Sequence, residues 1–258
     1  MKVMSNQFRI MGIINLTPDS FYAGSRTAAH DFMPKMRQMF QDGADVIDIG
    51  ACSTRPGAPR PSLEEEWARL EPALSAIARE GETTVSPLPL SIDTYRPEIV
   101  RRAYGIIGPF IVNDVAGGEP EMLKTVGELG LPYIAMHGRM PEGDVIADIM
   151  AFFKDFAARA EAEGIKEWIL DPGFGFGKSI EQNYEILDRL DELKSAGRDI
   201  LVGISRKSMI YKKLGITPEE AMPETLALER IALEKGASWL RVHDVPETVR
   251  MVRDYSTM

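Results

Sequence analysis

The stretch Asp45-Val-Ile-Asp-Ile-Gly-Ala51 reads as a strand buried on both faces: apolar residues follow one another almost without a break, and the polar segment Cys52-Ser-Thr-Arg55 closes it. Behind it, Leu63, Trp67, Leu70, Leu74 and Ile77 fall on one face of a helix. The same pattern, a short apolar run followed by a helical stretch, repeats along the chain. The runs are 9–16, 45–51, 88–93, 110–115, 132–136, 168–171, 200–204 and 239–242. Ile146, Ile149, Phe153, Phe156 and Ala160 mark a second helical face, and Ile186, Leu190 and Leu193 a third. Pro97, Pro218 and Pro246 suit first turns, while Gly81, Gly130 and Gly197 suit helix ends. Eight such units in about 250 residues predict an α/β fold, a closed (β/α)8 TIM barrel; an open doubly wound sheet is the alternative. No linker or shift of composition divides the chain, so residues 1–258 are expected to form one domain. The longest irregular segments, 18–30 and 52–62, follow the first two runs.

Composition narrows the function. Thirty basic against thirty-nine acidic residues give a net charge of -9, which argues against a nucleic-acid binder or a protein of anionic membranes. A single cysteine, Cys52, excludes an intrachain disulfide and a cysteine-rich zinc site. The three histidines, His30, His137 and His243, form no HExxH pattern. No apolar run approaches the ~18 residues needed to span a bilayer, and no cleavable leader is visible. The expectation is a soluble cytoplasmic protein with no membrane or nucleic-acid partner.

The residues closing the runs are Asn15, Ser53-Thr54-Arg55, Asp93, Asn113-Asp114, Met136-His137, Asp171, Ser205-Arg206-Lys207, Arg241 and His243. In a barrel these rise on one rim, where barrel active sites lie. Asp and Asn after a strand also serve as turn formers and helix caps, and Asp114, one position beyond Asn113 and facing the other way, is read so. Asp93 and Asp171 end apolar runs, where a carboxylate needs donors. Two adjacent N–H groups of a flat nitrogen heterocycle would supply them, and an amide such as Asn113 can read a mixed donor–acceptor edge. Together they suggest a 2-amino-4-oxo ring. Arg55, Arg206, Lys207, Arg241 and His243 would focus an anion, although Arg206 equally suits a structural ion pair. The segment Gly173-Phe-Gly-Phe-Gly-Lys-Ser179 is not a phosphate loop, because Pro172 stands where that motif needs its first glycine. Its glycines are read as allowing a close backbone approach to a ligand, and Phe174 and Phe176 fit either a pocket wall or the core. Cys52 reads as a packed thiol.

These residues resemble the dihydropteroate synthase family, over about residues 11–245. The resemblance rests on Gly12-Ile-Ile-Asn-Leu-Thr-Pro-Asp-Ser-Phe21, Asp45-Val-Ile-Asp-Ile-Gly50, Ser53-Thr-Arg-Pro-Gly57, Ser91-Ile-Asp-Thr94, Asn113-Asp-Val-Ala-Gly-Gly118, Asp171-Pro-Gly-Phe-Gly-Phe-Gly-Lys178, Ser205-Arg-Lys-Ser208 and Arg241-Val-His-Asp-Val245. It implies a (β/α)8 barrel, usually a homodimer, that condenses (7,8-dihydropterin-6-yl)methyl diphosphate with 4-aminobenzoate to 7,8-dihydropteroate and diphosphate in folate biosynthesis. By the same resemblance Asp93, Lys207 and Arg55 are catalytic. Asp93, Asn113, Asp171 and Lys207 read the pterin, Arg241 stacks on it and Met136 lies beside it. Thr54, His243 and the surroundings of Arg241 hold the diphosphate, and Asn15 serves Mg2+. Thr54, Arg55, Pro56, Phe174 and Ser208 belong to the aminobenzoate side; Asp19 and Phe21 lie on a mobile loop. This chain departs from the family pattern at Cys52, usually Glu, around Tyr22-Ala-Gly-Ser25, and at Gly138-Arg-Met-Pro-Glu-Gly143. The alternatives are a pterin-binding methyltetrahydrofolate methyltransferase-type barrel, a Schiff-base barrel using Lys207, and a catalytically silent pterin-binding module.

Overall fold

A computed structural model describes residues 8–16, 31–52, 60–81 and 89–256. In chain order the elements are β1 (Arg9–Asn15), α1 (Phe32–Asp42), β2 (Val46–Gly50), α2 (Leu63–Gly81), β3 (Leu90–Asp93), α3 (Pro97–Ile107), β4 (Ile111–Asp114), α4 (Pro120–Leu129), β5 (Tyr133–Met136) and α5 (Val145–Ala162). They continue with β6 (Trp168–Asp171), α6 (Ile180–Asp188), a 3-10 segment (Leu190–Ala196), β7 (Leu201–Val202), α7 (Ser208–Leu214), α8 (Met222–Glu234), β8 (Trp239–Val242) and α9 (Val245–Ser256). All strand pairings are parallel, in the order β6-β5-β4-β3-β2-β1-β8-β7. One parallel bridge, Leu170 to Ile200, joins the two ends of that order. The eight strands therefore form the expected (β/α)8 barrel, and the open-sheet alternative falls.

The apolar runs fold this way because each strand must bury two faces. Met11, Val46, Ile134 and Leu201 pack as one cluster inside the barrel, with Ile111, Ile169 and Trp239 against it. The alternate residues, among them Ile10, Ile47, Val112 and Leu170, join the larger cluster under the helices. There Phe156 lies edge-on to Trp168 and stacked on Tyr133, with ring centroids 5.0 and 5.4 Å apart. The strands thus close a plugged floor and leave their carboxyl ends to line a mouth.

Local signals set the helix ends. Pro97 and Pro120 open α3 and α4, where the missing N–H is no loss. Asp144 caps α5 by accepting from Ala147 N–H at 2.8 Å, and Ser179 with Gln182 forms a capping box on α6. Two expectations need correction. Pro218 lies in a turn before α8, whose own first turn carries Pro223. The face of Ile186, Leu190 and Leu193 is buried but not one helix: the chain breaks at Arg189 and tightens into the 3-10 segment. Arg189 ties that break to Glu185, Asp144 and Glu192. No helix among the described residues is long and apolar enough to cross a membrane.

Glu229 is a buried carboxyl that lies outside the mouth. Glu229 on α8 accepts from Thr248 Oγ1 through one oxygen, at 3.1 Å, while its other oxygen has no partner. Burial raises its pKa from 4.5 to about 8. A group raised on folding stabilises most below its unfolded pKa, and that contribution fades as pH climbs from 4.5 through 8. We expect Tm to decline between about pH 5 and pH 8, and Glu229→Gln to flatten the decline. Equal slopes in scanning calorimetry of the two proteins would refute the assignment.

Candidate active site

The mouth is assembled by register. Asn15 on β1 pairs with Gly50 on β2, Gly50 with Asp93 on β3, and Asp93 with Asn113 on β4. Met136 on β5 pairs with Asp171 on β6. These are last or next-to-last strand residues, and period-two alternation turns them to one side. Gly50 lies between two of them: a Cβ there would be in ordinary contact, 3.4 Å from Asp93 Cβ and 3.5 Å from Asn15 Oδ1. A Cβ on Gly203 would likewise stand in ordinary contact, 3.7 Å from Arg241 Cβ and 3.9 Å from Lys207 Nζ.

At the centre lies a cation between two acids. Arg241 donates from Nε to Asp48 Oδ2 at 2.7 Å and from Nη2 to Asp93 Oδ2 at 2.8 Å. Asn113 donates to the same Asp48 oxygen at 3.0 Å. Asp48 is fully buried in mid-strand, and its Oδ1 has no partner, nor does the neighbouring Ser91 Oγ. Sequence reasoning passed over Asp48; a charge inside an otherwise apolar run, two residues before Gly50, was the available signal. Burial pushes the Asp93 carboxyl up to about 7, Arg241 opposes that, and the carboxylates of Asp48, Glu66 and Asp114 add to it.

The turn after Asp93 is held by Glu66 of α2, another residue not foreseen. Its fully buried carboxylate accepts from Thr94 Oγ1 at 2.7 Å and pairs with Arg96. The Cys52 thiol packs beside Tyr95 Oη at 4.0 Å, and burial raises its pKa.

The opposite wall is built by the loop after β6. Asp171 accepts from Gly173 N–H at 2.8 Å, and burial raises its carboxyl while Lys207 counters. Lys207 donates to Phe174 O at 2.5 Å and lies 4.8 Å from the Phe176 ring centroid. Burial lowers Lys207 to about 8, so its ammonium is largely intact at neutral pH. The Phe174 ring is fully buried in the main core, whereas its carbonyl faces the mouth. The arrangement brings the carboxyls of Asp93 and Asp171, an amide, a guanidinium and an ammonium together at one mouth, suited to a flat heterocycle bearing an anionic arm.

The sequence profile of the family described as "Pterin binding enzyme" matches residues 11–243. The dihydropteroate synthase of Escherichia coli strain K12 is 41% identical over 257 residues, covering 95% of this chain and 89% of that protein. The chain belongs to the dihydropteroate synthase family. Two solved structures from that family superimpose closely. The Xanthomonas albilineans dihydropteroate synthase with 4-aminobenzoic acid is 36% identical, covers 97% of this chain and 92% of its own, and has a TM-score of 0.87. The Clostridium difficile dihydropteroate synthase in the presence of pteroic acid is 35% identical, covers 99% and 98%, and has a TM-score of 0.88.

Of the residues the resemblance to dihydropteroate synthases implies, the fold brings Asn15, Asp93, Asn113, Met136, Asp171, Lys207 and Arg241 to one mouth. His243 follows β8, and its backbone N–H donates to Ser205 Oγ at 3.2 Å. Burial and the nearby cations lower its imidazole to about 3, so it is neutral at pH 7 and does not count among the cations. Arg206, at φ 53°, is spoken for: it forks onto Asp244 at 2.7 and 2.8 Å and onto the carbonyls of Pro218 and Glu219. Ser208 opens α7. Asp114 faces the helices and accepts from Ala116 N–H, Gly118 N–H and Tyr133 Oη. Thr54, Arg55, Pro56, Asp19 and Phe21 lie outside the described residues.

Proposed function

We propose that this chain catalyses dihydropteroate synthesis: it joins (7,8-dihydropterin-6-yl)methyl diphosphate to 4-aminobenzoate. What carries the reading is the meeting of Asp93, Asn113 and Asp171 with Arg241 and Lys207 in a chain of this family. Asp93, Asn113 and Asp171 match the donor and acceptor edges of the pterin; Lys207 donates to its carbonyl side. The incoming ring N–H groups take over the place that Arg241 Nη2 holds on Asp93, freeing the guanidinium to stack on the ring face.

The bond between the methylene carbon and the diphosphate oxygen then breaks, and its electron pair leaves with diphosphate. Positive charge spreads into the ring, where the fixed Asp93 carboxylate stabilises it. The amine of 4-aminobenzoate forms the new carbon–nitrogen bond and releases a proton to diphosphate or water. Thr54, Arg55, Pro56 and Ser208 are assigned to the aminobenzoate side.

We further assign Mg2+ to this site. Among the described residues no cluster of three or more His, Cys, Asp or Glu is arranged to hold a metal. The Asn15 amide oxygen beside Asp93 still fits Mg2+, which takes few protein oxygens and keeps water and phosphate ligands. When bound, the ion supplies charge to the departing diphosphate. Chelating Mg2+ is expected to weaken diphosphate-bearing ligands at least tenfold and leave the bare pterin unchanged, measured by calorimetry. Equal weakening of both would remove the metal from this place. The reading includes a cytoplasmic homodimer, which sedimentation and cell fractionation would check.

The deciding experiment is diphosphate release with each substrate omitted in turn. Release that needs both substrates, with dihydropteroate formed, supports the proposal. Release without 4-aminobenzoate, or none with both present, overturns it.

A further inference from the structure

Lys178 has no place in the chemistry above, yet it is half-buried behind the wall that carries Asp171 and Lys207. Its ammonium donates to three main-chain carbonyls: His137 O at 2.7 Å, Gly173 O at 3.0 Å and Phe176 O at 3.0 Å. His137 follows β5, and the other two belong to the loop after β6. Three N–H bonds of one ammonium are thereby used, and two loops are joined.

The loop is pressed against its neighbours on every side. Gly173 sits at φ 73°, and a Cβ there would fall 2.1 Å from His137 O. A Cβ on Gly177 would fall 2.6 Å from Arg139 main chain, and one on Gly175 would fall 3.2 Å from Lys207 Cδ. Asn183 of α6 accepts from Gly175 N–H at 2.7 Å. Behind His137, its Nε2 lies 2.9 Å from Asp148, which also pairs with Arg139. From this same loop Gly173 N–H holds the Asp171 carboxylate, and Phe174 O holds the Lys207 ammonium.

We propose that Lys178 is a positioning residue for the pterin pocket: by bridging the loops after β5 and β6, it fixes the backbone groups that aim Asp171 and Lys207. The inference rests on the function proposed above and deepens it. The ammonium also favours the ionised form of Asp171, as do Lys207, Arg241 and the Gly173 N–H, against burial. Lys178 itself faces Asp171, Lys207, Asp148 and Arg139, and burial brings it down to about 7, so it is charged on the acid side of neutrality.

The test compares wild type with Lys178→Met, Lys178→Gln and Lys178→Arg. Two quantities are read: amide exchange over residues 137–139 and 172–178, and affinity for 6-hydroxymethylpterin as a function of pH. In Lys178→Met we expect local exchange to rise at least tenfold with β1 and β2 unaffected, pterin affinity to fall about tenfold, and the acid limb of binding to move to higher pH. Lys178→Arg restores the position of the acid limb because it restores the cation. Lys178→Gln retains two N–H donors without charge, so it keeps part of the loop protection but not the acid limb; it decides the matter should Lys178→Met fail to fold. Wild-type affinity and loop exchange in both Lys178→Met and Lys178→Gln would overturn the proposal. So would a uniform rise in exchange with an unmoved acid limb. Product formation by wild type is scored separately. Its absence would sink the reading of the reaction, while the exchange data would still report on the bridge.

Discussion

Asp93→Asn is expected to lower turnover by about two to three orders of magnitude while leaving Tm at pH 8 unchanged or higher. The amide nearly preserves the shape of the carboxyl group and keeps an oxygen for Arg241 Nη2, so packing is conserved. What disappears is the negative charge next to the developing cation. The sign of the stability effect follows from linkage. Asp93 is raised from 3.8 to about 7 on folding, so stability declines as pH rises from 3.8 through 7, and by pH 8 the folded state carries the full cost of a buried carboxylate. The amide carries none of it. The same shift predicts an acid limb near pH 7 in kcat/KM for the pterin substrate in wild type, since the ionised form is the active one. Turnover within threefold of wild type in Asp93→Asn would end the role assigned to this charge; a collapse of Tm would make the residue structural.

Arg241→Met should be the most damaging single change to the fold among the mouth residues. It leaves Asp48 and Asp93 buried within a few ångströms of each other with their shared cation removed. Breaking a buried pair from one side costs about 3–5 kcal/mol, which for a domain of this size is a Tm loss of ~10 °C. Asp93 should then be protonated at neutral pH, so pterin binding fails as well. Adding Asp48→Asn removes one of the stranded charges, and the double variant is expected to recover about half of the lost Tm without recovering turnover. A Tm for Arg241→Met within 2 °C of wild type would mean that Asp48 and Asp93 are not held by this guanidinium.

The legible part of the molecule was the part encoded by local pattern. Residues 45–51 read as a strand because a parallel strand covered on both sides leaves an unbroken apolar run, and the other seven runs follow the same logic. Asp93 and Asp171 stood out because a carboxylate that ends such a run needs donors that the apolar run itself does not supply. Asp48 did not stand out, although it is the acid that anchors Arg241, because the two lie 193 residues apart and only the pairing of β1 with both β2 and β8 brings them together. Arg206 could be read as ligand-binding or structural until Asp244 and two carbonyls were seen to take four of its five N–H donors. The break at Arg189 was hidden for another reason: a 3-10 turn and an α-helix both place Ile186, Leu190 and Leu193 against the core.

By itself the sequence determined the class of fold and the rim on which the chemistry gathers, since burial periodicity and the direction of each strand follow from residue order alone. Tertiary structure decided which of the rim groups meet and in what charge state. Desolvation and through-space pairing depend on neighbours from distant strands: they turn His243 neutral, raise Asp93 toward neutrality and place Arg241 between two acids.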